Sequence, residues 1–308
     1  MPAWTAQEIP SQSGKIVIIT GASSGIGAAA AEDLAAKGAD VILAVRNHAR
    51  GDIVRARILG RHPGAKVSVS MLDLADLASI RAFAERTHAT QPKIDILLNN
   101  AGLGLQAARA VTKDGFERQF GTNHLGHFAL TGLLVPALLR APAPRVVTIA
   151  SIAHKRGQID FANLQAERAY AGMKIYAQSK LANLMFALEL DARARAASSK
   201  LASLGAHPGI AATGFLSAIG QPAYLEAVGN LVLKIFGQDS AHGALPGLYA
   251  ATMPDAYGGQ YWGPDGFAEL RGAPALAKIA PQAKNIETRQ RLWTVSEELT
   301  GVSFPPLA

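Results

Sequence analysis

The chain has 308 residues, of which 49% are hydrophobic and 17% are charged, a balance typical of a soluble globular protein with a substantial core. It contains no cysteine, which excludes disulfides, thiolate metal sites and cysteine nucleophiles. The formal net charge is +7, and segment 46–62 carries five arginines against one acid, Asp52. Two interpretations of this basic segment stay open: a solvated helix face, or a field that attracts a phosphorylated ligand.

Short apolar runs alternate with helical segments along residues 15–265. The first run, KIVIIT at 15–20, predicts a buried strand because it is β-branched and bounded by glycines. A helix is predicted over 28–38, with Gly38 as its C-cap. Further strands are predicted at 40–46, 66–72, 94–100, 145–151, within 199–209 and, more weakly, at 260–264; further helices are predicted at 76–89, across most of 113–140 and at 172–197.

This alternation predicts one α/β domain over residues 1–308, a doubly wound (Rossmann) parallel sheet with helices on both faces. Two segments fall outside the pattern. Segment 211–240 has only three charged residues and several large apolar ones, so we expect an apolar lid over a substrate site, or else a pair of core helices. Residues 266–308 form a C-terminal extension with an amphipathic stretch at 287–299.

A glycine-rich turn, TGASSGIG at 20–27, connects the first strand to the first helix. Gly21, Gly25 and Gly27 permit positive φ and close approach of the backbone to a ligand. The helix start offers unpaired N–H groups and the positive end of a dipole to a pyrophosphate. The strand before and the helix after therefore favour a dinucleotide site over a purely structural turn.

The residue after the second strand decides between the two nicotinamide dinucleotides. An acidic side chain there would bind the free 2′-hydroxyl of NAD and repel a phosphate. This strand ends in Arg46, whose guanidinium suits a 2′-phosphate. The sequence thus favours NADP(H) over NAD(H).

The pentapeptide YAQSK at 176–180 places Tyr176 and Lys180 one helical turn apart on the predicted helix 172–197. The spacing alone allows either a surface pair or an acid/base couple. Free tyrosine has a pKa near 10, and a unit positive charge at about 4 Å contributes about 4 kcal/mol at an effective dielectric near 20. We therefore expect Lys180 to lower the pKa of Tyr176.

Several further motifs occur in a fixed order along the chain. They are TGASSGIG, Asp73, NNAG at 99–102, Asn123 in TNHLGHF, Ser151, the Tyr176/Lys180 pair, and HPG at 207–209 with Thr213. In this order the sequence resembles the short-chain dehydrogenase/reductase family over roughly residues 15–265. The resemblance implies hydride transfer between a nicotinamide and a carbonyl or alcohol carbon.

Closer likenesses point to the branch of retinol dehydrogenases and protochlorophyllide reductases. They are TNHLGHF at 122–128, SIAHKRG at 151–157, YAQSKLAN at 176–183 and WGPDG at 262–266. Many family members have Ser-Ser where this chain has Ala150-Ser151, and the second serine matches the catalytic position. The membrane-anchoring N-terminal segment of animal retinol dehydrogenases is missing, so we expect a soluble, cytoplasmic relative without a membrane span.

The resemblance implies a role for each matching residue. The implied catalytic residues are Asn123, Ser151, Tyr176 and Lys180, with Ser151 on the substrate oxygen, Tyr176 as proton donor, and Asn123 holding a water chain to Lys180. The implied cofactor-binding residues are Gly21, Ser23, Ser24, Gly25, Ile26, Gly27, Arg46, Asp73, Leu74, Asn100, Ala101, Gly102, Tyr176, Lys180, Pro208, Gly209, Ile210 and Thr213.

The expected partner is a small, apolar substrate, and family members range from monomers to tetramers, so a homo-oligomer is possible. No metal is expected, because His124, His127, His154 and His207 lack the spacing of a zinc site. Two other functions were weighed: an NADP(H)-binding sensor or scaffold on the same fold, and nucleic-acid binding through segment 46–62. The second lacks aromatic platforms and a recognition helix, so we expect no nucleic-acid partner.

Overall fold

The computed structural model describes residues 3–210 and 238–308, and one eight-stranded sheet runs through both ranges. Its strands are β1 (Ile16–Thr20), β2 (Asp40–Val45), β3 (Lys66–Met71), β4 (Ile96–Asn99), β5 (Arg145–Ile149), β6 (Ala202–Ala206), β7 (Tyr261–Pro264) and β8 (Pro274–Leu276). The spatial order is β3-β2-β1-β4-β5-β6-β7-β8.

The central strand β1 lies in parallel between β2 and β4, with Ile18 opposite both Ile42 and Leu97. Every pairing from β3 to β7 is parallel, and only β8 is antiparallel. The chain passes from β3, at one edge of the sheet, to β4 on the other side of β1, so the strand order reverses between β1 and β4. A ligand crevice is expected at this switch point, at the carboxyl ends of the strands.

Helices cover both faces of the sheet. They are α1 (Gly25–Ala36), α2 (His48–Arg61), α3 (Leu77–Thr90), α4 (Arg118–Phe120), α5 (Gly126–Leu138), α6 (Gly172–Ala196), α7 (Ser240–Thr252) and α8 (Ile286–Thr300). Buried side chains of α1, α2 and α7 pack on one face, and those of α3, α5, α6 and α8 pack on the other. The predicted doubly wound α/β fold is confirmed.

Most predicted elements appear within a few residues of their expected bounds. Helix α1 starts at Gly25 rather than residue 28, because the glycine-rich turn forms its first turn. Gly38 ends it with a φ of 89°, as predicted. The region 113–140 is divided, and a π-helical turn, Gly121–Leu125, separates α4 from α5.

Among the described helices and strands, α7 and β8 were not predicted, and α2 was expected only as a possible helix face of segment 46–62. Helix α7 contains Pro246, which lowers the helical signal because proline removes a backbone donor. Strand β8 has only three residues and begins with Pro274, which is tolerated at the first residue of a strand. The expected lid at 211–240 lies almost wholly outside the described residues.

The C-terminal extension completes the core on the face formed by α5 and α6. The Trp293 ring of α8 lies 5.1 Å from Phe128 and 5.9 Å from Phe186, and Phe304 lies 4.4 Å from Trp293. The Arg193 guanidinium lies 4.3 Å from the centre of the Trp293 ring. In the two described ranges, no helix has both the length and the apolar character needed to cross a bilayer.

Candidate active site

The glycine-rich turn takes a backbone path that only small residues allow. Gly21 and Gly25 have φ values of 68° and 56°, in the left-handed region. A Cβ on Gly21 would lie 2.8 Å from the Ala101 Cα, and one on Gly27 would lie 2.5 Å from the Asn100 Nδ2. The N-cap of α1, Ser24, makes no side-chain capping bond. The helix start is thus suited to an anionic group.

A buried hydrogen-bond network fixes the loop after β4 beneath this turn. The Thr20 Oγ1 accepts bonds from the backbone N–H groups of Asn100 and Ala101, both at 2.9 Å. The same oxygen lies 2.9 Å from the His127 Nε2, and the His127 Nδ1 lies 2.8 Å from the Asn123 carbonyl oxygen. All of these contacts are hydrogen bonds if His127 is neutral with its proton on Nδ1, because Nδ1–H then donates to the Asn123 carbonyl oxygen and Nε2 accepts from the Thr20 hydroxyl. Burial lowers the pKa of His127 to about 4, which supports the neutral form.

A cleft of about 560 Å³ opens at the switch point of the sheet. Twelve of the predicted cofactor residues line it: Gly21, Ser23, Ser24, Gly25, Ile26, Gly27, Arg46, Asp73, Leu74, Asn100, Ala101 and Gly102. Seven lining residues were not predicted: Ala44, Asn47, Arg50, Leu72, Leu103, Thr122 and Ser240. All but Ser240 lie within four positions of a predicted residue, before or after it, so extending each motif to the adjoining strand end or helix turn could have found them.

The five arginines of segment 46–62 separate into two groups. Arg57 and Arg61 form ion pairs with Glu32, and Arg55 donates to the Val67 carbonyl oxygen at 3.0 Å. Arg46 and Arg50 line the cleft, and within the described ranges neither forms an ion pair. Arg57 and Arg61 thus fit the helix-face interpretation, and the attraction of a phosphorylated ligand by Arg46 and Arg50 stays a prediction.

Tyr176 and Lys180 are buried on one face of α6, with exposed fractions of 6% and 5%. The Tyr176 phenol is hydrogen-bonded to the Ser151 side chain. The Lys180 Nζ donates to the Ile149 carbonyl oxygen at 3.1 Å. A Cβ built on Gly102 would lie 3.1 Å from this Nζ. The pair thus adjoins the cleft at Gly102, and the surface-pair interpretation of YAQSK is wrong.

The predicted lowering of the pKa of Tyr176 is also wrong for the side chain as it is placed here. Burial raises the pKa of Tyr176 to about 12, against the opposing effect of its bond to Ser151. Burial lowers the pKa of Lys180 to about 8. A nearby lysine charge favours the phenolate, but the cost of burying the phenolate is larger in a dry environment.

Asn123 lies in the π-helical turn and is fully buried. Its Oδ1 accepts a bond from the Leu103 N–H at 2.7 Å, and its Nδ2 donates to the Leu103 carbonyl oxygen and to the Ser179 Oγ. The Asn123 amide therefore connects the loop after β4 to α6. Its partner on α6, Ser179, lies between Tyr176 and Lys180 in the sequence. The expected water chain to Lys180 stays a prediction.

Ser151 follows β5 and is the N-cap of a 3-10 helix, Ile152–Arg156. Its Oγ accepts a bond from the Ala153 N–H at 3.2 Å. After β6, Gly209 has a φ of 65°, and the Ile210 N–H donates to the Leu270 carbonyl oxygen at 2.8 Å. Residues Pro208–Ile210 do not line the cleft, and the predicted Thr213 falls outside the described residues.

Comparison with known proteins identifies the family. The short chain dehydrogenase family model matches residues 15–222. The chain is 38% identical to Retinol dehydrogenase 12 of Mus musculus over 293 residues, covering 94% of this chain and 88% of the relative. It is 37% identical to Retinol dehydrogenase 14 of Homo sapiens over 305 residues, covering 94% and 87%.

A solved structure of an uncharacterized protein from Mycobacterium Paratuberculosis superposes with a TM-score of 0.81 at 39% identity, covering 99% of this chain and 100% of that one. The fold, the order of the motifs and these likenesses agree. The chain therefore belongs to the short-chain dehydrogenase family and is retinol dehydrogenase-like within it.

Proposed function

We propose that the protein transfers a hydride between NADP(H) and the carbonyl or alcohol carbon of a lipophilic small molecule. The observation that carries this proposal is the buried Tyr176 phenol bonded to Ser151, with Lys180 one turn away beside Gly102 at the edge of the dinucleotide cleft. A proton donor, a hydroxyl for the substrate oxygen and a cation thus adjoin a cofactor cradle.

Bound nicotinamide would supply or accept the hydride, and the side chains would hold the oxygen and move the proton. Ser151 would donate to the substrate oxygen, and Tyr176 would exchange a proton with it. A pKa of about 12 keeps Tyr176 protonated near neutral pH, which fits proton donation during carbonyl reduction. Lys180 uses one donor on Ile149, and its other two are available to ribose hydroxyls.

The preference for NADP(H) rests on charge at the carboxyl end of β2. Arg46 and Arg50 line the cleft there, and neither is engaged by a carboxylate of the described residues. A phosphate can accept paired bonds from a guanidinium. Among the described residues that line the cleft, the one acidic side chain is Asp73; it follows β3, and its Oδ1 accepts a bond from the Ala75 N–H.

The lipophilic substrate class is supported by two observations. Segment 211–240 has three charged residues, Glu226, Lys234 and Asp239, among many large apolar ones. The named relatives are retinol dehydrogenases, and retinol is a lipophilic alcohol. The segment follows β6 directly, where chain segments commonly cover the substrate in parallel α/β sheets.

Turnover can be tested by following NADPH absorbance at 340 nm with a panel of carbonyl compounds. The panel includes medium-chain and polyene aldehydes, an aromatic ketone and a polar aldehyde sugar. We expect oxidation of NADPH with the apolar members, and slower oxidation of NADH. Binding of NADPH without turnover of any member would instead favour a sensor or scaffold.

A further inference from the structure

The loop between β7 and β8 (residues 265–273) contains two consecutive non-glycine residues with positive φ, Ala268 at 52° and Glu269 at 60°. Such residues persist only where the surrounding structure holds them, and they concentrate at functional sites. The Glu269 side chain is 15% exposed and points toward the protein. Glu269 itself lies outside every motif quoted from the sequence.

The Glu269 carboxylate joins three separate segments. Its Oε2 accepts a bond from the Lys155 Nζ at 2.8 Å and lies 3.2 Å from the His207 Nε2, off the line of a good hydrogen bond. Its Oε1 accepts a bond from the Lys278 N–H at 3.1 Å. Burial opposes this charge, but the contacts with His207 and Lys155 outweigh it and lower the pKa of Glu269 to about 2. The side chain is therefore an anion at neutral pH.

The first of these segments carries Ser151. Lys155 lies on the 3-10 helix that Ser151 caps, four residues beyond the hydroxyl that bonds Tyr176. The extension holds the same helix a second time, because the Gln282 Nε2 donates to the carbonyl oxygens of His154 and Lys155 at 3.2 and 3.0 Å. Because Ser151 caps the short helix that carries Lys155, a shift of Lys155 would also shift Ser151.

The second segment is the turn after β6. The His207 Nδ1 accepts a bond from the Gly209 N–H at 3.2 Å, so its Nε2–H faces Glu269. The next residue of the strained loop, Leu270, accepts a bond from the Ile210 N–H at 2.8 Å. Glu269 and Leu270 thus both contact this turn, and Glu269 also binds Lys155.

We propose that Glu269 is a positioning residue that fixes the Ser151 segment relative to the turn Pro208–Ile210. This deepens the proposed function and rests on it, because those two segments would flank the reacting carbonyl and the nicotinamide. Glu269 is not among the described residues that line the dinucleotide cleft. It acts through Lys155 and His207, and its strained backbone keeps the carboxylate between them.

The test compares Glu269→Gln and Glu269→Ala with Glu298→Ala, an exposed glutamate on α8 of the same extension. Stopped-flow and steady-state rates are measured with NADPH carrying hydrogen or deuterium at the transferred position. We expect Glu269→Gln to lower kcat about 10-fold, since small misplacements of reacting groups are costly. The primary isotope effect should rise, because hydride transfer becomes slower relative to product release. NADPH affinity should stay within about twofold.

A second comparison separates positioning from loss of fold. Lys155→Met should lower kcat by a similar factor. The double variant Lys155→Met/Glu269→Gln should be no slower than the worse single variant, because the two substitutions break the same contact between Lys155 and Glu269. A fall in kcat without a change in isotope effect, matched by a lower melting temperature, would overturn the proposal. So would fully additive effects of the two substitutions.

Hydrogen–deuterium exchange gives a readout that does not need turnover. Glu269→Gln should speed exchange in peptides covering 151–157 and 207–210, and Glu298→Ala should not. If the wild type reduces no carbonyl, the proposed function fails while faster exchange still supports the positioning role. Unchanged exchange in both peptides would overturn the positioning role whatever the enzyme does.

Discussion

The Lys180 Nζ lies 3.1 Å from the point that a Cβ on Gly102 would occupy. Contacts this short require the neighbour to move, and Lys180 is already bonded to Ile149. The absence of a side chain at Gly102 is therefore what allows the lysine to reach the cleft. The loop after β4 and helix α6 are matched to each other at this point.

Gly102→Ala should displace the Lys180 ammonium by a few tenths of an ångström and lower kcat/KM about 10-fold, because reacting groups tolerate little misplacement. Steady-state kinetics with NADPH measure the loss. Gly64→Ala is the matched control, since Gly64 has no atom within 4 Å of its built Cβ. Equal activity of the two variants would contradict the role given to Gly102.

Tyr176→Phe removes the proposed proton donor and keeps the ring in its buried site. We expect kcat to fall by about 10²–10⁴, the usual contribution of general acid–base catalysis. NADPH affinity, measured by fluorescence titration, should remain near that of the wild type. Tyr257→Phe is the control, because the Tyr257 ring is 65% exposed. Substantial turnover by Tyr176→Phe would remove this tyrosine from the mechanism.

Arg46→Asp should shift cofactor preference toward NADH. The substitution removes a cation at the cleft and introduces an anion that repels a 2′-phosphate. We expect the ratio of kcat/KM for NADPH to that for NADH to fall about 10- to 100-fold, the size of a charge-assisted bond. Arg61→Ala serves as the control, since Arg61 pairs with Glu32 outside the cleft. A wild type that already prefers NADH would refute the assignment of Arg46.

The fold should lose stability as the pH falls below 6.5. Burial lowers the pKa of His124 to about 3 and that of His127 to about 4, so the unfolded chain binds protons that the folded chain does not. The free energy of unfolding should fall by about 2 kcal/mol per histidine between pH 6.5 and 5. Urea denaturation at several pH values measures this slope.

His124→Gln provides the matched variant for that measurement. Its loss of stability between pH 6.5 and 5 should be about 2 kcal/mol smaller than that of the wild type, because one of the buried histidines with a lowered pKa is gone; His127, His154 and His207 remain. The exposed His48, with a 54% exposed side chain, gives the control His48→Gln, which should keep the full slope. A slope that His124→Gln leaves unchanged would show that other groups cause the acid sensitivity.

The sequence identified the parts of this molecule whose signal is local. The glycine-rich turn, the strand-helix alternation and the i, i+4 pair of Tyr176 and Lys180 all depend on neighbours along the chain. Arg50 was missed as a cleft residue because its role depends on where α2 begins. Ser240 joins the cleft from a distant segment, for which the sequence carries no local signal.

Long-range contacts also explain the other differences. The pKa of Tyr176 depends on how much protein surrounds it, which its spacing from Lys180 cannot show. Glu269 carries no motif at all. Its position follows from a strained loop in an extension that the sequence separated from the alternating domain.

Helix α8 and the residues after it bear on how the chain folds during synthesis. Trp293, Val302 and Leu307 belong to the same buried cluster as Ile16 and Ile18 of β1, so residues far along the chain complete a core begun by an early strand. A Cβ on Gly132 of α5 would lie 2.8 Å from the Phe304 ring, which shows how closely the tail fits. This half of the core cannot close on the ribosome until Leu307 has emerged, and until then α5 and α6 offer an apolar face to chaperones or to other nascent chains.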